Sequence, residues 1–131
     1  MEFRFDHVSL SVADLDVSVA FYRDALGFEE LPRPGFDFPG AWFSVAGVPV
    51  HLTTGGTTRG ADAPLRPNDP HFAIAVVGDL DAFLADLADR GVPVHELQDS
   101  PAAERQTFVK DPDGNVIEFC VYADAAAQNA G

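Results

Sequence analysis

The feature that most constrains this chain is that it contains the same pattern twice. Residues 7–27 read HVSLSVADLDVSVAFYRDALG and residues 71–91 read HFAIAVVGDLDAFLADLADRG. Each copy opens on a histidine, alternates as a strand, passes through Asp-Leu-Asp, takes up helical spacing and ends at glycine. The second copy carries one extra residue before its Asp-Leu-Asp.

The periodicities assign faces. In the first strand Val8, Leu10 and Val12 lie on one side, with Phe5, His7, Ser9 and Ser11 on the other. In the second, Phe72, Ile74 and Val76 match the apolar set, and His71, Ala73 and Ala75 the opposite one. Asp14 or Asp16 can cap the first helix and Asp79 the second. Leu15, Val19, Tyr22 and Leu26 form one apolar stripe, and Leu80, Phe83, Leu84 and Leu87 the other. Gly27 and Gly91 suit left-handed C-terminal caps. Short strands then follow at about 28–32, 41–46 and 48–54, and again at about 92–97, 105–110 and 115–122. Asp111-Pro-Asp-Gly-Asn is turn chemistry between the last two. The prediction is a single α+β domain of two strand-helix-strand-strand-strand modules, about 3–54 and 71–122, joined by a Gly/Thr/Pro-rich linker, 55–70. Each module leaves a sheet face open, so the two should bury those faces together. Residues 123–131 read as a tail or frayed helix.

Length and charge bound the function. A chain of 131 residues supports one core. Its 21 acidic and 8 basic residues give a net charge of −13, which argues against nucleic acid, whose phosphates need a basic footprint. The single cysteine, Cys120, precludes an internal disulfide and fits a reducing, cytoplasmic setting. No signal peptide and no membrane span are expected.

Aligning Val50-His51-Leu52 on Ile117-Glu118-Phe119 makes His51 and Glu118 equivalent, as His7 and His71 already are. Strand parity turns all of them away from their apolar neighbours. Repeat-related positions converge on the axis between the halves, so His7, His51, His71 and Glu118 form a candidate metal set. Three imidazoles and a carboxylate suit Zn, Ni, Co, Mn or Fe(II) better than Ca or Mg. His95 has no partner in the repeat and reads as an exposed strand residue.

Residues 3–122 resemble the vicinal oxygen chelate superfamily, which includes glyoxalase I, bleomycin-binding proteins and type I extradiol dioxygenases. The matching motifs are Asp6-His-Val-Ser-Leu-Ser-Val-Ala-Asp-Leu15 with Ala20-Phe-Tyr-Arg-Asp-Ala-Leu-Gly-Phe28, and Asp111-Pro-Asp-Gly-Asn-Val-Ile-Glu118. The resemblance implies paired βαβββ modules, commonly in a homodimer whose sites draw ligands from both chains. It also implies that His7, His51, His71 and Glu118 occupy the metal positions of the glyoxalase-like members. His51 stands where glyoxalase I has a glutamate, which leaves Glu118 alone to serve as base.

The leading expectation is a divalent-metal-dependent lyase or isomerase acting on a small oxygen-chelating metabolite, with Glu118 as ligand and base. An extradiol-type dioxygenase would use His7, His71 and Glu118 for Fe(II), with His51 occupying a position that dioxygen and a catechol need. Thiol transfer to fosfomycin fits less well, because Phe108 stands where that family has a tyrosine. An acidic, bleomycin-resistance-like binding protein is the non-enzymatic alternative, favoured by the charge. For substrate contacts, Trp42 and Phe43 beside Pro34–Gly40 offer an aromatic wall and lid, and Arg105 can face an anionic group. Ser9, Cys120 and Tyr122 share faces with the candidate ligands. Cys120 as a nucleophile lacks a neighbouring base.

Overall fold

A computed structural model of the chain describes residues 1–123. Most of the expected tail, 124–131, lies outside the described residues. The element order is β1 (Val8–Ser11), α1 (Leu15–Ala20), β2 (Glu29–Leu31), β3 (Gly40–Val45), β4 (Val48–Thr53), β5 (His71–Ala75), α2 (Leu80–Asp89), β6 (Val94–Leu97), β7 (Arg105–Lys110) and β8 (Val116–Val121). The first four strands form one sheet in the order β1-β4-β3-β2, and the last four form another in the order β5-β8-β7-β6. In each sheet the first and last strands of the module pair in parallel and the other pairs are antiparallel. The duplicated sequence is therefore a duplicated topology. Among the described residues no helix is long and apolar enough to cross a membrane.

The helices begin where their caps dictate. Asp14 accepts a hydrogen bond from the Val17 amide, and Asp79 does the same for Ala82. The first helix loosens after Ala20: the Leu26 amide reaches the Phe21 carbonyl five residues back, and Phe28 bonds to the Tyr22 carbonyl. That wider turn carries Tyr22 fully into the core. Gly27 and Gly91 adopt the expected left-handed caps.

Both modules share one core. Val12, Tyr22, Phe43 and Leu52 from the first half cluster with Leu80, Leu87, Ile117 and Phe119 from the second. Apolar sheet faces and helix stripes are thus buried together, and the opposite sheet faces are left to carry the histidines.

A polar bolt ties α1 to the turn before β8. The buried Tyr22 hydroxyl donates to Asp111 Oδ2 at 2.6 Å, and burial beside that carboxylate holds the phenol well above its usual pKa. Asp111 also accepts from the amides of Asp113 and Asn115 and from Asn115 Nδ2. Asp113 receives the Ala13 amide and the Ser18 hydroxyl. Every donor around these two buried acids is satisfied by a named partner, which is the condition for burying them at all.

The linker is better anchored than its composition suggested. Arg59 donates to the Gly114 carbonyl and to Asp69, and Lys110 donates to the carbonyls of Ala61 and Ala63. Gly114 sits at φ +87, and a methyl group there would strike the Gly60 carbonyl, so the linker closes directly over a glycine.

Candidate metal centre

Register places the predicted ligands. In the first sheet Ser9, His51, Trp42 and Leu31 lie side by side across four strands. In the second, Ala73, Glu118, Phe108 and His95 form the matching row. Trp42 and Phe108 are thus equivalent aromatic positions, as His51 and Glu118 are equivalent polar ones. His95, read from sequence as an isolated strand residue, belongs to the Glu118 face and is exposed.

In the second module Glu118 is buried, at 6% exposure, although it lies on the open face. Its Oε1 is 3.1 Å from His71 Nε2, and its Oε2 accepts from Gln106 Nε2 at 3.3 Å. His71 Nδ1 lies 2.7 Å from the Asp69 carbonyl, a group that can only accept. The proton of a neutral His71 therefore sits on Nδ1, and its Nε2 lone pair faces a carboxylate oxygen. Two acceptors so opposed repel unless a cation stands with them or Nε2 is protonated. This donor set suits a divalent transition ion, with the imidazole tautomer already fixed by the backbone. Phe108 meets the His71 ring edge-on, with centroids 5.4 Å apart.

The first module is built differently. Trp42, His51 and His7 form a three-ring stack, with centroids 4.3 and 4.2 Å apart and planes within 7° and 17° of parallel. His7 Nδ1 contacts Asp6 Oδ2 at 2.5 Å, which orients the ring and leaves the Nε2 lone pair free. Burial, then the neighbouring His7, pushes the His51 pKa down. Ser9 is exposed beside His51.

Within one chain these residues form two pairs, His7 with His51 and His71 with Glu118. Among the described residues no group of three or more His, Cys, Asp or Glu side chains is close enough to hold one ion.

Two expected substrate contacts require correction. Phe43 faces the helix and is completely buried: it alternates with Trp42 along β3, so only one of the two can reach the open face. Trp42 is that one. Arg105 is engaged by the chain's own carboxylates, with Nε donating to Glu96 and Nη1 to Asp81, both at 2.8 Å. These contacts raise its already high pKa. Cys120 is buried, and burial pushes its thiol pKa up, as expected of an inert thiol. Tyr122 is exposed near it.

Sequence reasoning gave no role to Gln106, Asp6 or Arg33. Gln106 was legible, since it is two residues from Phe108 on the same strand face. Arg33 was not, because its position depends on the path of an irregular loop. Its guanidinium lies 4.7 Å from the Phe36 ring and 4.9 Å from that of Phe38. Phe36 in turn lies 6.2 Å from Trp42. Nε and Nη2 of Arg33 are buried without a hydrogen-bond partner, and orphaning a buried charged donor costs about 1–3 kcal/mol or more.

The chain is similar to known proteins over most of its length. The family model described as the Glyoxalase/Bleomycin resistance protein/Dioxygenase superfamily matches residues 4–119. The curated protein Glyoxylase I 4 of Arabidopsis thaliana is 29% identical over 120 residues, covering 88% of this chain and 68% of its own. A solved structure assigned to the glyoxalase family, from Bacillus anthracis, superposes with a TM-score of 0.78 at 26% identity, covering 93% of this chain and 97% of its own. The fosfomycin resistance protein FosX of Listeria monocytogenes superposes at 0.79 with 19% identity over 100% of both chains.

Proposed function

Because the chain belongs to the Glyoxalase/Bleomycin resistance protein/Dioxygenase superfamily, we propose that it is a divalent-metal-dependent lyase or isomerase acting on a small metabolite with neighbouring oxygens. The single observation that carries this reading is the His71–Glu118 pair: an imidazole whose tautomer is set by the Asp69 carbonyl, aimed at a buried carboxylate. His71 and Glu118 would hold the ion together with His7 and His51. A FosX structure is described as a complex with Mn(II) and a dihydroxypropylphosphonic acid, which supports a transition ion and a small oxygen-rich ligand on this fold.

The two pairs would be joined by a second copy, His7 and His51 from one chain meeting His71 and Glu118 from the other. The surface near His7 supports such a homodimer. Phe3 and Phe5 are 85% and 77% exposed, and an apolar groove of about 280 Å³ runs between Val8 of β1 and Phe72 and Ile74 of β5. Exposed aromatic surface of this kind marks a protein contact.

When bound, the metal supplies charge to stabilise a developing oxyanion on the substrate. The chain does the rest. Glu118 is the proton acceptor: its Oε2 is oriented by Gln106, and its burial keeps competing water away. The Trp42–His51–His7 stack gives a flat wall against which a planar substrate lies. Asp6 keeps the His7 ring in place.

Elemental analysis of protein purified without a histidine tag or chelator tests the reading. A stoichiometric transition metal, lost in Glu118→Gln together with turnover of α-hydroxycarbonyl or hemithioacetal substrates, is the expected result. A Glu118→Gln variant that binds no metal and still turns over substrate would overturn it.

One observation favours a second reading. His51 sits between two parallel rings, as a slab in a stack. With His51 as wall rather than ligand, His7, His71 and Glu118 make the two-His-one-carboxylate set of Fe(II) dioxygenases. Anaerobic Fe(II) loading followed by catechol and air distinguishes the two, since only the dioxygenase gives a ring-cleaved product.

A further inference from the structure

In a chain with 21 acidic and 8 basic residues, arginines find carboxylates easily. Arg4, Arg23, Arg59, Arg90 and Arg105 each lie 2.8–3.2 Å from one. Arg33 differs. Among the described residues no carboxylate pairs with it, and its Nε and Nη2 hydrogens meet no acceptor. These two atoms form the edge of a guanidinium that binds an oxyanion through two parallel hydrogen bonds.

The position of that edge follows from Gly40. Residue 40 shares its side of β3 with Trp42, because the two are separated by one residue. A Cβ built on Gly40 would stand 2.8 Å from both Nε and Nη2 of Arg33. The guanidinium therefore lies on the open face of the first sheet, over a glycine that makes room for it, and next to Trp42. Gly40 pairs with Thr53, which sets it diagonal to His51. The edge is out of contact with solvent, but the side chains that cover the guanidinium are themselves exposed. Phe36 and Phe38, stacked on one another at 5.1 Å, are each nearly half exposed. Cation–π contact with two exposed rings compensates a guanidinium less well than two charge-assisted hydrogen bonds do.

We propose that Arg33 is the anion-recognition residue of the candidate site, its Nε/Nη2 edge taking one carboxylate or phosphonate of a small ligand whose other oxygens lie toward His51 and His7. Phe36 and Phe38 lift from the guanidinium as the anion enters and close over it afterwards. Placing the remaining oxygens at the histidines rests on the metal reading above. The anion site itself does not, since nothing in it needs a metal.

The test uses chelator-treated, metal-free protein at constant ionic strength, titrated with glycolate, methylphosphonate or neutral glycolamide. Trp42, the only tryptophan, reports through its fluorescence, and the Arg33 Nε–H resonance reports directly in 15N-labelled protein. The expected result is a saturable shift of both signals with at least one of the two anions and none with glycolamide. The anion giving the lower Kd identifies the group. Arg33→Gln should weaken that Kd at least tenfold, and Arg33→Lys, which keeps the charge but not the two parallel donors, should do the same. An Arg33 Nε–H signal unmoved by either anion, or glycolamide binding as well as glycolate, would make Arg33 a mere rivet for the loop and overturn the proposal, whatever the variants do. A parallel Mn2+ titration separates the two readings. Anion binding without Mn2+ binding leaves Arg33 in its role and removes the metal, and Mn2+ binding with no movement at Arg33 does the reverse.

Discussion

The two modules repeat one topology but equip it differently. On the second sheet, the polar residue of the central row is a buried glutamate hydrogen-bonded to Gln106 and facing an imidazole fixed by a carbonyl. On the first, the equivalent residue is a histidine stacked between two rings, with no side-chain hydrogen bond among the described residues. The turns before β4 and β8 diverge in the same way. The second runs through Asp111 and Asp113, bolted to α1, whereas the first is the short Ala46-Gly47 turn, for which no such bolt appears among the described side-chain hydrogen bonds. One topology thus carries two kinds of anchoring, buried polar contacts in the second module and ring stacking in the first.

The largest effects should fall on that anchoring. Asp111→Ala strands the Tyr22 hydroxyl and the Asn115 amide in a buried site, so a loss of about 3 kcal/mol or more is expected. For a chain of this size that lowers Tm by about 10 °C in a thermal melt. Gly114→Ala should cost about 2 kcal/mol, through its positive φ and the collision with the Gly60 carbonyl. If both variants melt within 2 °C of the parent, the second turn is no anchor and the contrast between modules collapses.

Next come the half-sites. Replacing Glu118 by Gln or His71 by Ala should weaken Mn2+ or Ni2+ binding, read by isothermal titration, by about 100-fold or more, since even outer partners of metal ligands are worth about 10–100-fold. His7→Ala should fall at about the same level, because Asp6 orients that ring as a donor. His51→Ala separates the two readings: a loss equal to that of Glu118→Gln is expected of the four-ligand set and would make the modules chemically alike, whereas a loss of about tenfold would leave the ring as a wall held by stacking, with His7, His71 and Glu118 as the ligands.

The repeat made the fold legible in advance, because periods of two and 3.6 residues survive in a single sequence. They placed most strands within two residues, the Asp79 cap and the shared core, and left Asp14 and Asp16 as alternatives for the first helix, where Asp14 is the cap. Parity also told which side of each strand His51 and Glu118 occupy. The same parity sends Phe43 to the helix side, because residues adjacent on a strand face opposite ways. What pattern could not reach were contacts made by loops. Arg105 met its own carboxylates through the approach of β6 and α2, and Arg33 found the open face only because the 34–39 segment folds over Gly40. Nor does a repeat say whether equivalent positions converge within one chain or across two.

The smallest predicted change sharpens the contrast from the other side. In the first turn Ala46 and Gly47 have φ of +50 and +82, the pair of left-handed residues that closes a two-residue hairpin. A left-handed non-glycine residue costs about 1–2 kcal/mol, and glycine returns about 0.4–1 kcal/mol of that through the greater freedom of the unfolded chain. Ala46→Gly should therefore stabilise by about 0.5 kcal/mol and raise Tm by about 2 °C. The sign is opposite to that of Gly114→Ala in the equivalent turn, where a methyl group meets the linker. If Ala46→Gly destabilises, the methyl group makes a contact that compensates for its backbone strain, and the first turn is as closely fitted as the second.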